Sequence, residues 1–203
     1  MNIFLQGLTM GLAYVAPIGM QNLFVINSAL TNKRKRALLT ALIVIFFDIT
    51  LSLACFFGIG TIMQRFKWLQ MVILCVGSLI VIYIGISLLR AKTQDLEKDQ
   101  PTMSIKKTIS SACVVTWFNP QAIIDGTMML GAFHVTLAAG QETPFITGVA
   151  CASFSWFIGL TSLISLISSK FNAKVMRWIN IVCGVIIIGY GLKLFVSFVQ
   201  MLL

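Results

Sequence analysis

The chain has 203 residues, 58% of them hydrophobic and only 10% charged, with a mean hydropathy of +0.95 and a formal net charge of +9. An average soluble domain carries about 25% charged residues, so this composition excludes a globular domain covered by water. It also turns the basic excess away from nucleic acid, because the positive charges sit in short gaps between apolar runs, where they set membrane topology.

Six apolar runs are long enough to cross a hydrocarbon core of about 30 Å as helices, which predicts an all-α, polytopic membrane protein. The first, Ile3–Leu30, contains AYVAPIGMQNLFVIN and so places Pro17, Gly19, Gln21 and Asn22 near its middle. Proline removes a backbone donor and clashes with the preceding turn, and the residue before it is pushed out of helical geometry. Pro17 is therefore expected to start a fresh half-helix. MNIFLQG has no basic leader, so no cleaved signal is expected. After the KRKR run at Lys33–Arg36, the second run, Ala37–Ile62, holds Asp48 about eleven residues in, roughly 17 Å from its start. A charge at that depth costs about 2.5–3.5 kcal/mol on insertion scales and marks a functional candidate by default. Its plainer alternative is a structural ion pair with Lys193, the basic residue that lies well inside the last run.

The third run, Trp68–Leu89, is followed by the polar loop TQDLEKDQP from Thr93 to Pro101. The fourth, Thr108–Ala132, is interrupted like the first: VVTWFNPQAIIDGTMML carries Asn119, Pro120, Gln121 and Asp125. Asn119 suits an N-cap and Pro120 the first helical position after it. His134 follows without neighbouring metal ligands, as an interfacial or solvated histidine. Phe145–Ile167 and Val175–Met201 complete the set. The five cysteines, at 55, 75, 113, 151 and 183, fall within the runs and form no C-x-x-C, so they read as small hydrophobes. No metal site and no cofactor are expected.

Loops one, three and five hold twelve Lys and Arg residues against two or three on the other side. That asymmetry predicts odd loops in the cytoplasm and both termini outside. The chain also divides into two three-span halves, 1–92 and 108–203, joined by a cytoplasmic linker at 93–107. Pro17 precedes Asn22 by five residues, as Pro120 precedes Asp125, and the six-residue spacing Gly77–Tyr83 returns as Gly184–Tyr190. Three spans is an odd number, so the second half must be inverted. Inverted repeats with broken helices meeting near the midplane are a transporter architecture. Half-helix N-termini favour a carboxylate, while Asp48 and Asp125 favour a cation. Together they suit a zwitterion with an extra positive charge; a small cation or an amine would satisfy the aspartates equally.

PIGMQNLFVIN (17–27), VTWFNPQAIID (115–125) and SFSWFIGL (153–160), with the span-two aspartate and the RWINIVCG entry to the last span, resemble the lysine/arginine exporter family of bacterial inner membranes. The resemblance runs through nearly the whole chain. It implies a six-span secondary exporter of basic amino acids, coupled to proton or other ion movement, in the bacterial inner membrane and compatible with a homo-oligomer. The family pattern P-x-G-P-Q-N departs here at Met20, which stands where the second proline would and predicts a softer first break.

On this reading Gln21, Asn22, Asp48, Asn119, Gln121 and Asp125 bind substrate, and Pro17, Gly19 and Pro120 break the helices. Asp48 or Asp125 would carry a coupling proton as the two halves rock in alternating access. Trp117 and Trp156 could stack on a guanidinium or simply pack and anchor. The chain is expected not to be an enzyme. Export of neutral amino acids or other small amines remains open beside this reading, as does a channel. A thiol–disulfide carrier fits less well, since Cys113 stands seven residues before the second break and the first run has no cysteine. The Gly7-x-x-x-Gly11 pair would suit oligomerisation or packing within one subunit.

Overall fold

A computed structural model of the chain describes residues 2–58, 66–90, 104–168 and 173–202, and no strand occurs among them. Helix α1 (Ile3–Val15) begins where Asn2 Oδ1 accepts from the Phe4 N–H at 3.1 Å. It stops at Val15, and α2 (Met20–Thr31) resumes after a turn of 77°. Then follow α3 (Arg34–Phe56) and α4 (Lys67–Arg90). The fourth predicted run folds as α5 (Ile105–Trp117), α6 (Pro120–Gly126), a π-helical turn at Thr127–Gly131 and α7 (Ala132–Thr136). Helices α8 (Glu142–Ser168) and α9 (Ala173–Leu202) close the chain.

Among the described residues three stretches are long and apolar enough to span a membrane: Arg34–Phe56, Glu142–Ile167 and Gly184–Met201. The bent α1–α2 pair passes as a fourth. The end of the second predicted run and the 93–101 loop lie outside the described residues. Large apolar side chains such as Phe46, Leu79, Tyr83 and Val185 stand on the outside, while Asn22, Asp48, Ser78, Thr108, Thr116 and Ser153 are buried. That inside-out distribution is what hydrocarbon demands, since polar groups in lipid must find partners within the protein.

The two most extensive helix pairs are α1 along α8 and α4 along α9. Helix α3 packs against α5 and α8, and α2 is wedged among α3, α5, α8 and α9. Apolar residues attract one another little in lipid, so close backbone approach supplies the association. Gly7, Gly11 and Gly148 provide it. A Cβ on Gly148 would overlap the Phe4 carbonyl oxygen, and one on Gly7 the Phe145 carbonyl oxygen, with Gly11 pressed on Val149 and Ala152. The Gly7–Gly11 pair is thus used inside the subunit.

Helices α4 and α9 meet through Gly85 and Gly184, where a Cβ on either would lie about 3 Å from the other's carbonyl oxygen (3.0 and 3.1 Å). Gly77 instead abuts the Phe118 carbonyl at the second break. The shared Gly-to-Tyr spacing therefore does not put Gly77 and Gly184 in equivalent contacts.

Candidate functional site

The first break is wider than the sequence suggests. Pro17 does not open a half-helix; the chain leaves α1 at Ala16, and α2 begins three residues beyond Pro17 with extended Gly19 as its N-cap. Met20 takes the first helical position, the place Pro120 holds at the second break. With Met20 at that position the chain still turns by 77°. The freed carbonyls explain why. Asn22 reaches back and donates from Nδ2 to the carbonyls of Val15 (3.0 Å) and Pro17 (2.7 Å). Its Oδ1 accepts from Trp156 Nε1 of α8 at 2.8 Å. One buried amide thus holds the bend and ties it to a neighbouring helix.

Its loss should be costly, because a buried polar group left unpaired costs about 1–3 kcal/mol. Asn22→Leu removes every partner, and Asn22→Asp turns an oxygen toward two carbonyl oxygens. Both are expected to lower the melting temperature of detergent-solubilised protein by about 5–10 °C, at about 2–4 °C per kcal/mol. Native-like melting in both would refute this role.

Asp48 lies next to the break, wholly buried on α3. Gln21 Nε2 donates to its Oδ1 at 3.1 Å, and Ser153 Oγ of α8 donates to its Oδ2 at 2.5 Å. Gln21 Nε2 also donates to Thr116 Oγ1 of α5 at 3.1 Å. Four elements therefore converge: the start of α2, the middle of α3, the end of α5 and the middle of α8. Lys193 is exposed on α9 and does not pair with Asp48; among the described residues the carboxylate has no basic partner. An isolated buried charge is expensive, and neutral donors offset only part of that cost.

The second break is built differently. Asn119 caps α6 as expected, accepting from the Ala122 N–H at 3.4 Å, and Pro120 follows at the first helical position. Asp125 matches Asn22 in spacing, yet a carboxylate has no N–H to give to freed carbonyls. Side-chain donors instead reach carbonyls within α6 itself. Tyr14 Oη donates to the Ala122 carbonyl at 3.3 Å, Cys55 Sγ to that of Ile123 at 3.6 Å, and Thr127 Oγ1 to Ile123 at 2.7 Å. The π turn follows, with Gly126 and Gly131 both pressed on Cys55. Such turns recur at functional positions in helices.

Asp125 accepts from exposed Gln121 Nε2 at 2.7 Å. Among the described residues no hydrogen bond joins this pair to the Asp48 cluster. Gln21, Asn22 and Asp48 are thus brought together with Trp156, whereas Asn119, Gln121 and Asp125 stay at the second break.

Both indoles are held by their N–H groups. Trp117 Nε1 donates to Thr50 Oγ1 at 3.3 Å, and its ring packs on Leu51, Cys55 and Ile123. Trp156 packs on the main core while bonded to Asn22. His134 is not solitary: its Nε2 lies 3.7 Å from Glu142 Oε1, with edge-on contacts to Phe56 and Phe57. That pair is half exposed and worth little. Among the described residues no cluster of three or more His, Cys, Asp or Glu could hold a metal. Cys55, Cys75, Cys113 and Cys151 are free thiols.

Sequence reasoning missed Ser153, Thr116 and Tyr14. Ser153 stood three residues before Trp156, hence on the same helical face, and that spacing was the available clue.

A family model described as LysE type translocator matches residues 12–197. The chain is 32% identical over 188 residues to an arginine exporter protein ArgO of Klebsiella pneumoniae (strain 342), covering 90% of this chain and 88% of the relative. The arginine exporter protein ArgO of Salmonella schwarzengrund (strain CVM19633) is 31% identical, with the same coverage. No solved structure matches the chain.

Proposed function

The chain belongs to the LysE type translocator family, a transporter family rather than an enzyme family, and from that premise we propose that it exports basic amino acids, arginine or lysine, across a bacterial inner membrane. The observation that carries this reading is Asp48: a wholly buried carboxylate held by Gln21 and Ser153, both neutral, at a broken span. A cargo cation would supply the missing counter-charge. The cargo's own carboxylate would turn to the start of α2, where Gly19 provides no side-chain cap and the first N–H groups point outward. At the second break Asn119 already takes up such a donor.

The substrate path so defined includes Gln21, Asn22 and Asp48. Asn119, Gln121 and Asp125 form its second station, and Trp117 and Trp156 flank the two. Six spans in two inverted halves, 1–92 and 108–203, are favoured by thirteen-residue arms ahead of both breaks. The reciprocal packing of α1 on α8 and α5 on α3 points the same way. Because α1 grips α8 and α4 grips α9, the bodies that move in alternating access draw helices from both halves. The basic loops lie in the cytoplasm and both termini outside, which a reporter fused at Leu203 reads directly.

Carrying a cation outward against an inside-negative potential costs about 2.3 kcal/mol per 100 mV. Exchange for one incoming proton on Asp48 or Asp125 removes that electrical cost. In proteoliposomes loaded with labelled arginine or lysine, saturable efflux is expected, accelerated several-fold by a proton gradient directed into the vesicle lumen. Efflux indifferent to that gradient would remove proton coupling. Efflux of neutral amino acids alone would reassign the cargo.

A further inference from the structure

We propose that the Gln21 amide is a resident competitor for the cargo's cation, so that binding at Asp48 is an exchange in which arginine or lysine displaces Gln21. The inference rests on the basic-amino-acid reading above and assigns Gln21 a role within it.

Gln21 Nε2 has two N–H groups, and both are spent: one on Asp48 Oδ1 and one on Thr116 Oγ1, each at 3.1 Å. A carboxylate only accepts, so the amide must present its nitrogen to Asp48. The remaining carboxylate oxygen is taken by Ser153. Asp48 is wholly buried, so a cation cannot approach an open face of it and must replace one of these two donors.

The two differ in how firmly they are fixed. Ser153 is itself buried, on the long unbroken α8, and its bond at 2.5 Å is short and charge-assisted. Gln21 is only partly buried and is the second residue of α2, a helix joined to the rest of its span by the non-helical residues around Pro17. Gln21 is therefore the donor that yields.

An amide NH₂ has the donor pattern of one arm of a guanidinium without its charge. A guanidinium or an ammonium can take over Asp48 Oδ1 from Gln21 and adds the charge that the amide lacks. A neutral side-chain amide gains nothing by the same exchange. Gln21 thus sets a threshold that only a cationic cargo passes. When cargo leaves, the amide returns to Asp48 and lowers the barrier to release.

The test measures equilibrium binding of labelled arginine to purified protein, and maximal efflux from proteoliposomes, for the native chain, Gln21→Leu and Thr116→Val. Gln21→Leu removes the competitor. Arginine is expected to bind about tenfold more tightly, the worth of a hydrogen bond to a charged group. Maximal efflux falls, because release loses its replacement donor. Thr116→Val leaves Asp48 and Gln21 in place but loosens the seat of Gln21, and is expected to tighten binding about threefold. It decides the matter if Gln21→Leu does not fold.

Unchanged or weaker arginine binding in the folded variants would overturn the exchange, weaker binding making Gln21 a direct cargo ligand instead. A native chain that exports neither arginine nor lysine would overturn the basic-amino-acid reading, and this inference with it. Native export with unmoved variants overturns the exchange alone.

Discussion

Asp48→Asn is expected to abolish export while leaving the fold intact. The substitution keeps the shape of the side chain and an oxygen that accepts from Gln21 or Ser153, the two donors seen on the carboxylate. It removes a buried charge that no basic residue among those described offsets. Unfolding stability should therefore hold or rise, since replacing an uncompensated buried charge by a neutral group relieves desolvation. Cargo binding should suffer in proportion to a lost buried ion pair, about 3–5 kcal/mol, or roughly a hundredfold or more in affinity. The two readouts move apart, which separates a binding residue from a structural one. Efflux within a few-fold of native in Asp48→Asn proteoliposomes would remove Asp48 from the site. A large drop in melting temperature would instead make the carboxylate part of the framework.

The second large effect concerns two glycines on one helix. A side chain on Gly148 of α8 would run into backbone atoms of α1, overlapping the Phe4 carbonyl oxygen and meeting the Leu8 nitrogen at 2.7 Å. Backbone cannot rotate away as a side chain can, so Gly148→Leu has to force α1 and α8 apart. The cost expected is about 3–5 kcal/mol, at the severe end for single substitutions. That corresponds to a fall of about 10 °C in melting temperature, or to loss of the monodisperse peak. Eleven residues along the same helix, Gly159 faces open space, with nothing within 4 Å of an added Cβ. Gly159→Leu should leave folding and export close to native. Equal damage from both would mean that leucine harms α8 generally and that the close approach of α1 does not matter.

Much of this arrangement was legible in the sequence because lipid makes exceptions conspicuous. A proline or a carboxylate within a long apolar run has few tolerable explanations. Pro17, Asp48 and the Asn119–Pro120 pair therefore pointed to the breaks and to the buried charge. The exact start of α2 was not legible, because proline forbids helix behind it without dictating where helix resumes. That was settled by Gly19 in extended geometry and by Asn22 turning back on the carbonyls of Val15 and Pro17. The partners of Asp48 escaped for another reason. Serine and threonine are common in membrane helices and usually bond to their own preceding turn, as Ser155 does, so Thr116 carries no mark in the chain and Ser153 only its spacing to Trp156. The match between Asn22 and Asp125 misled in part: equal spacing survived, but one side chain donates and the other only accepts.

The contact between α1 and α8 also sets an order of events during synthesis. Phe4 leaves the ribosome 144 residues (148 − 4) ahead of Gly148, which seats against it and belongs to the fifth of the six predicted spans. At about 5–20 residues per second, the gap between the two amounts to roughly 7 to 30 seconds. Throughout that interval the Gly7–Gly11 face of α1 is inserted without its partner. A slow or stalled ribosome in the segment before α8 would prolong the exposure, so the vulnerable stage in making this protein comes before its fifth span, however well the finished fold holds.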